Sequence, residues 1–159
     1  MLTLRKYTNR DADLIGQWIT DEKAFRLWCA DRLQAYPYSA DEFNRLYEND
    51  TNMTGNIALD DGVPIGHFFT KMLTDDVCKL GLIIVDSTKR GKGYGRAMVS
   101  CALDLAKKLG AKKAVLSVFD NNSAAYECYK KLGFSENGSF TEHTVCGETR
   151  KYLELEYCF

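Results

Sequence analysis

Three glycines alternate at 91, 93 and 95 within Arg90-Gly91-Lys92-Gly93-Tyr94-Gly95, and this turn constrains the chain more than any other stretch. The apolar run Leu82-Ile83-Ile84-Val85 precedes it. After it, Met98, Val99, Ala102, Leu103, Leu105, Ala106 and Leu109 recur at helical spacing up to Gly110. The order is strand, glycine turn, helix. Such a turn lets backbone approach a ligand closely and take positive φ where needed. The first helical turn adds unpaired N–H groups at the positive end of a dipole. Lys89, Arg90, Lys92 and Arg96 bring formal positive charge to the same place. A pyrophosphate is the natural guest. The P-loop string G-x-x-x-x-G-K-S/T is absent, and against the dinucleotide pattern G-x-G-x-x-G the third glycine comes one residue early.

The rest of the chain supplies a sheet for this turn to belong to. Leu2 to Tyr7 reads as a strand, and Thr8 with Asp11 as a capping-box-like start for a helix carrying Leu14, Ile15, Trp18 and Ile19. Phe25, Leu27 and Trp28 mark a second helical piece. Ser39 with Glu42 opens a third through Phe43, Leu46 and Tyr47. Strands follow at 53–59, 65–73 and 77–85, the first two joined by Asp60-Asp61-Gly62-Val63-Pro64. Beyond the glycine turn and its helix come a strand at 114–119, a helix at 123–132 closed by Gly133, and strands at 134–145 and 148–157 across Cys146-Gly147. The expected fold is α/β: one domain over 1–159 with a single mixed, mostly antiparallel sheet of about seven strands and flanking helices.

Composition excludes several classes of function. A formal net charge of −1 does not suit a globally basic nucleic-acid binder. No uncharged apolar run approaches a membrane span, and the polar start Met1-Leu2-Thr3-Leu4-Arg5-Lys6 has no signal-peptide character. The six cysteines contain no C-x-x-C pair, so neither a zinc site nor a disulfide framework is expected, and the reading is a cytoplasmic protein with reduced thiols. Residues 1–60 carry seven Lys/Arg against ten Asp/Glu, and residues 61–159 fourteen against twelve. That small asymmetry suits an anionic ligand in the later part and a cationic one in the earlier part, and a solvated surface explains it equally well.

With these residues in view, the chain resembles the GNAT superfamily of acyl-CoA-dependent N-acyltransferases. Their pyrophosphate loop, Arg/Gln-x-x-Gly-x-Gly/Ala, is matched by Arg90 to Gly95, and Val85-Asp86 stands at the family's spacing before it. A second signature is matched by Asn122-Ser123-Ala124-Ala125-Tyr126-Glu127-Cys128-Tyr129, continuing to Gly133-Phe134. The resemblance implies the acyl-CoA N-acyltransferase fold and acetyl-CoA as acetyl donor. It implies that Ile83, Ile84 and Val85 present backbone groups to the pantetheine arm and acetyl carbonyl. Residues Arg90, Gly91, Lys92, Gly93, Tyr94, Gly95 and Arg96 would wrap the pyrophosphate. Asn122 and Ala125 would border the thiol end, and Tyr129 would protonate the departing thiolate.

The chemistry agrees with these roles. Amine attack on a thioester builds oxyanion charge that a fixed backbone N–H stabilises, and a thiolate leaves more easily beside a proton donor. Tyr126 competes with Tyr129 on the same helix. The general base is open: Asp21, Glu22 and Asp31 border the expected acceptor side but read as surface carboxylates, and His67 and His143 are undecided. Most of Trp18, Phe25, Trp28, Tyr36, Tyr38 and Phe43 read as core, with a minority left for a pocket. The expected function is acetyl transfer to a primary amine of a small molecule or a peptide N-terminus, without a metal. The alternative is a catalytically idle acyl-CoA-binding or regulatory domain. Expected partners are acetyl-CoA, an amine acceptor and a second copy of the chain, with no nucleic acid and no membrane.

Overall fold

The hydrophobic pattern becomes seven strands and five helices in a computed structural model that describes residues 1–159. In chain order these are β1 (Leu2–Lys6), α1 (Asp11–Gln17), α2 (Glu22–Cys29), α3 (Ala40–Asn49), β2 (Met53–Asp60), β3 (Val63–Met72), β4 (Val77–Val85), α4 (Tyr94–Lys108), β5 (Lys113–Phe119), α5 (Ser123–Leu132), β6 (Ser135–Val145) and β7 (Glu148–Cys158). A 3-10 turn, Ser87–Lys89, joins β4 to the glycine turn. The strands form one sheet in the order β1-β2-β3-β4-β5-β7-β6. β1 to β4 are an antiparallel meander, α4 carries the chain across to the parallel neighbour β5, and β7 lies between β5 and the edge strand β6.

Local chemistry explains where the helices begin. The Asp21 carboxylate accepts the Ala24 N–H at 2.8 Å to start α2, and the Ser39 hydroxyl accepts the Glu42 N–H at 3.2 Å to start α3. At α1 the expected cap is reversed. The Thr8 hydroxyl caps nothing; instead Asp11 accepts the Thr8 N–H at 2.8 Å and holds Arg5 through two bonds of 2.8 Å. Burial pushes the Asp11 carboxyl upward, but Arg5 and Thr8 outweigh it and hold it below the usual carboxylate range. The β6–β7 turn places Cys146 and Gly147 at φ 50° and 82°, the positive pair that a tight hairpin requires.

The sheet carries apolar side chains on both faces. α4 and α5 cover one with Met98, Val99, Ala102 and Tyr129 over Leu80, Leu116 and Leu155. α1 to α3 and the segment after α2 cover the other with Ile15, Phe25, Leu33 and Phe43 over Ile57, Phe69 and Leu82. Phe25 and Phe43 are fully buried, each contributing about 1.5–3 kcal/mol of transfer free energy. β4 therefore lies between two cores, with side chains committed to each. No helix is long and apolar enough to cross a membrane.

Candidate active site

β4 and β5 pair only where they begin, at Val77↔Lys113, Cys78↔Ala114 and Lys79↔Val115. Beyond that point they diverge. Residues 80–85 keep β3 on one side, and residues 116–119 keep β7, so the edges facing each other have no strand partner. At ~3.3 Å per residue the wedge runs for roughly 20 Å along β4. Unpaired backbone N–H and C=O groups are costly unless something bonds them. An extended chain bearing amides is the chemical complement of such a gap. A cavity of about 510 Å³ fills the wedge and reaches the starts of α4 and α5.

A bulge sits in the middle of the β4 wall. The register steps from His67↔Ile84 to Phe69↔Gly81, which leaves Leu82 and Ile83 opposite Phe68 alone. Leu82 takes φ 47°, a left-handed conformation costing an ordinary residue about 1–3 kcal/mol. His67 holds it there. Its Nδ1 lies 3.0 Å from the Leu82 carbonyl and so carries the proton, and Nε2 accepts the Tyr47 hydroxyl at 2.7 Å. Burial pushes the His67 pKa down to about 4, so the imidazole is neutral at pH 7. His67 thus faces the core and fixes the backbone of the wedge; it is not in the cavity lining. His143 is on exposed β6, 3.0 Å from the Thr141 hydroxyl.

The glycine turn closes one end. Gly91 and Gly93 take φ 76° and 85°, and a Cβ on either would meet no atom within 4 Å. Their glycine character therefore answers to backbone conformation and not to crowding. α4 begins at Gly93 with no side-chain cap and no acidic residue in its first turn. Arg90 ties the turn down, donating to the Val85 carbonyl at 3.3 Å and the Trp18 carbonyl at 3.1 Å. Of the residues singled out in sequence, Ile83, Ile84, Val85, Arg90, Gly91, Gly95, Asn122, Ala125 and Tyr129 line one cavity. Lys92, Gly93, Tyr94 and Arg96 do not. The Tyr94 hydroxyl is committed to Asp60 on β2, which leaves only its backbone N–H at the helix start.

α5 supplies the opposite wall. It too begins without a side-chain cap, at Asn122, and without an acidic first turn. Tyr129 is 7% exposed, packs edge-on to Phe134 and lines the cavity with no protein partner for its hydroxyl. Burial raises its pKa well above the usual phenol value, so the hydroxyl stays protonated and has a proton to donate. Tyr126 lies outside the cavity, with Lys130 6.0 Å from its ring.

The acidic excess of residues 1–60 does not reach the site, which favours the solvated-surface account of it over a cationic ligand. Asp21 caps α2, Glu22 and Asp31 are exposed, and no Asp or Glu lines the cavity. Its charged side chains are Arg32, Lys79 and Arg90. Sequence reasoning missed Arg32 and Lys79. Lys79 had one signal, being the sole charge in the apolar strand Val77–Val85; Arg32 had none. Among the aromatic residues of the first helices, Trp28 lines the cavity, whereas Phe25, Tyr36, Tyr38 and Phe43 stack on one another.

A parallel pair that splays over an uncapped glycine turn defines the acyl-CoA N-acyltransferase class of fold. Spermidine N-acetyltransferase from Vibrio cholerae, solved with CoA and spermine, superimposes with a TM-score of 0.83, covering 99% of this chain and 95% of that one at 22% identity. The chain belongs to the Acetyltransferase (GNAT) family, whose sequence profile matches residues 18–134. It is 35% identical over 81 residues to an uncharacterised N-acetyltransferase of Methanocaldococcus jannaschii, covering 47% of this chain and 36% of that one. It is also 35% identical over 80 residues to N-acetylaspartate synthetase of Xenopus tropicalis, covering 50% and 30%. The matched region thus spans about a third of the length of these relatives.

Proposed function

We propose that the protein is an acetyl-CoA-dependent N-acetyltransferase acting on a small primary amine. The observation that carries this reading is the splayed β4–β5 wedge, which opens onto two uncapped helix starts and the free Tyr129 hydroxyl. The backbone groups of residues 83–85 that face the wedge bind the pantetheine amides, and the bulge aims an N–H at the acetyl carbonyl, where oxyanion charge develops. The N–H groups of residues 91–96, with Arg90, Lys92 and Arg96, neutralise the pyrophosphate. Asn122 and Ala125 border the sulfur end. The six free cysteines suit a reducing compartment, the cytoplasm.

The proton balance needs no carboxylate in the cavity. The amine nitrogen bonds to the acetyl carbon and loses a proton, while the carbon–sulfur bond breaks and the sulfur gains one. Tyr129 gives its proton to sulfur and recovers the one the amine releases. Its raised pKa keeps it neutral between turnovers. A cavity lined by three cations and no acid also favours the unprotonated form of a bound amine, which is the nucleophile.

Membership of the family leaves the acceptor open, because one relative is named for acetylaspartate synthesis and one neighbour holds spermine. The test is incubation with acetyl-CoA and a panel of amines, read as free thiol. Amine-dependent thiol release is expected. Tight acetyl-CoA binding without release from any amine would favour the idle acyl-CoA-binding domain.

A further inference from the structure

We infer that the acceptor carries a carboxylate as well as an amine, a small amino acid, and that Arg32 and Lys79 bind that carboxylate. This rests on the acetyltransferase reading and narrows its substrate. The cavity has two electrostatically distinct ends. At the α4 end, Arg90 is occupied by the Val85 and Trp18 carbonyls beside the glycine turn. Lys79 stands at the other end, where β4 and β5 are still paired, six residues before Val85 and roughly 20 Å along the strand. The pyrophosphate turn is therefore too far for Lys79 to serve it.

Arg32 is held ready beside Lys79. Gly81 lacks a side chain where a Cβ would lie 2.4 Å from the Phe69 ring, so Phe69 packs flat against β4. The Arg32 guanidinium lies 5.5 Å from the centre of that ring. Neither Arg32 nor Lys79 forms an ion pair or a side-chain hydrogen bond within the protein. Glu154 on β7 is close enough to act on Lys79 electrostatically but forms no ion pair with it, and instead accepts from Asn137 Nδ2 at 2.6 Å. Burial and Arg32 both hold the Lys79 ammonium below its usual pKa, as expected of two cations left facing each other.

Two half-buried cations and no lining acid complement an oxyanion. They oppose a polyamine, whose charges repeat those of the wall. A planar guanidinium beside an aromatic ring presents parallel N–H groups, the geometry that a carboxylate accepts. With the carboxylate at Arg32 and Lys79, the amine of a small amino acid lies toward the bulge at Leu82 and Ile83, between that clamp and the pyrophosphate turn.

The experiment compares amino acids with the same amines lacking the carboxylate: leucine against isoamylamine, phenylalanine against phenethylamine, with spermidine alongside. Thiol release gives kcat/KM, and calorimetry on the CoA-loaded protein gives binding without turnover. The acid of each pair should exceed its decarboxylated partner at least about tenfold in kcat/KM, since a charge-assisted hydrogen bond is worth that much. Arg32→Gln and Lys79→Gln should each collapse that ratio toward one through KM, and Arg32→Lys and Lys79→Arg should restore part of it. Amino acids that bind in the wild type but not in these variants, without thiol release, would sink the acetyltransferase reading and leave the carboxylate site standing. Equal or better use of the decarboxylated amines or spermidine would overturn the carboxylate site and leave the acetyltransferase reading intact. So would a ratio that neither variant changes.

Discussion

Two helices of the first half, α2 and α3, start differently from the two of the second, α4 and α5; α1 has no side-chain cap and stands outside the contrast. α2 and α3 are closed by their own side chains, Asp21 and Ser39, and have acidic first turns. α4 and α5 start bare, at Gly93 and Asn122, with no acid in the first turn, and both starts face the cavity. A capped helix has spent its orphan N–H groups on itself; a bare one holds them for something else. α2 and α3 have used those groups internally, whereas α4 and α5 leave theirs free, as the proposed pyrophosphate site requires. The comparison also separates donor from acceptor, since the glycine turn belongs to the bare half and Arg32 follows the capped α2.

The largest expected effect of breaking this division is at Tyr129. Tyr129→Phe keeps the packing against Phe134 and removes only the hydroxyl, so kcat should fall about 10²- to 10⁴-fold with little change in acetyl-CoA affinity. Steady-state kinetics beside direct binding separates the two. Unchanged turnover would remove Tyr129 from the proton path.

The next effect belongs to the bulge in β4 that His67 holds. His67 has its pKa lowered from 6.5 to about 4, so folding favours its neutral form. The stability this contributes, about 3 kcal/mol, is complete above pH 6.5 and is lost as pH falls toward 4. The melting temperature should drop across that window, and His67→Gln should flatten the drop while lowering kcat/KM through the loosened bulge. A wild-type profile flat from pH 6.5 to 4 contradicts the lock.

Smaller effects test the helix starts themselves. Gly93→Val places a β-branched residue at φ 85° and should weaken acetyl-CoA binding roughly tenfold or more in calorimetry. Ser39→Ala at the capped start of α3 should cost about 1 kcal/mol of stability in denaturant melts and leave acetyl-CoA affinity where it was. If Gly93→Val binds acetyl-CoA normally, or Ser39→Ala does not, the contrast between bare and capped helices fails.

The same contrast explains what could be read from sequence. The donor side lies on local patterns: alternating glycines, a strand before them, Asn122 and Tyr129 at fixed spacing on one helix. Each part is set by residues close along the chain, so their order was visible before folding. The acceptor side is assembled from distant pieces. Arg32 follows α2, Lys79 lies on β4, and what joins them is Phe69 lying over Gly81. No spacing encodes that. His67 was undecided for the same reason, because its partners Tyr47 and Leu82 come from α3 and β4. The charge count of residues 1–60 could not separate a cationic ligand from a solvated surface because it sums over position: its acids serve Ala24, Arg5, Lys71, Tyr94 and solvent, not the cavity.

The measurement that bears most directly on the central claim is a crystal structure of the acetyl-CoA complex. The pantetheine arm should lie between β4 and β5 and bond the free edge at residues 82–85. The pyrophosphate should rest on the N–H groups of residues 91–96, and the sulfur should lie within hydrogen-bond reach of the Tyr129 hydroxyl. Acetyl-CoA bound outside the wedge, or with its phosphates away from the start of α4, would contradict the account.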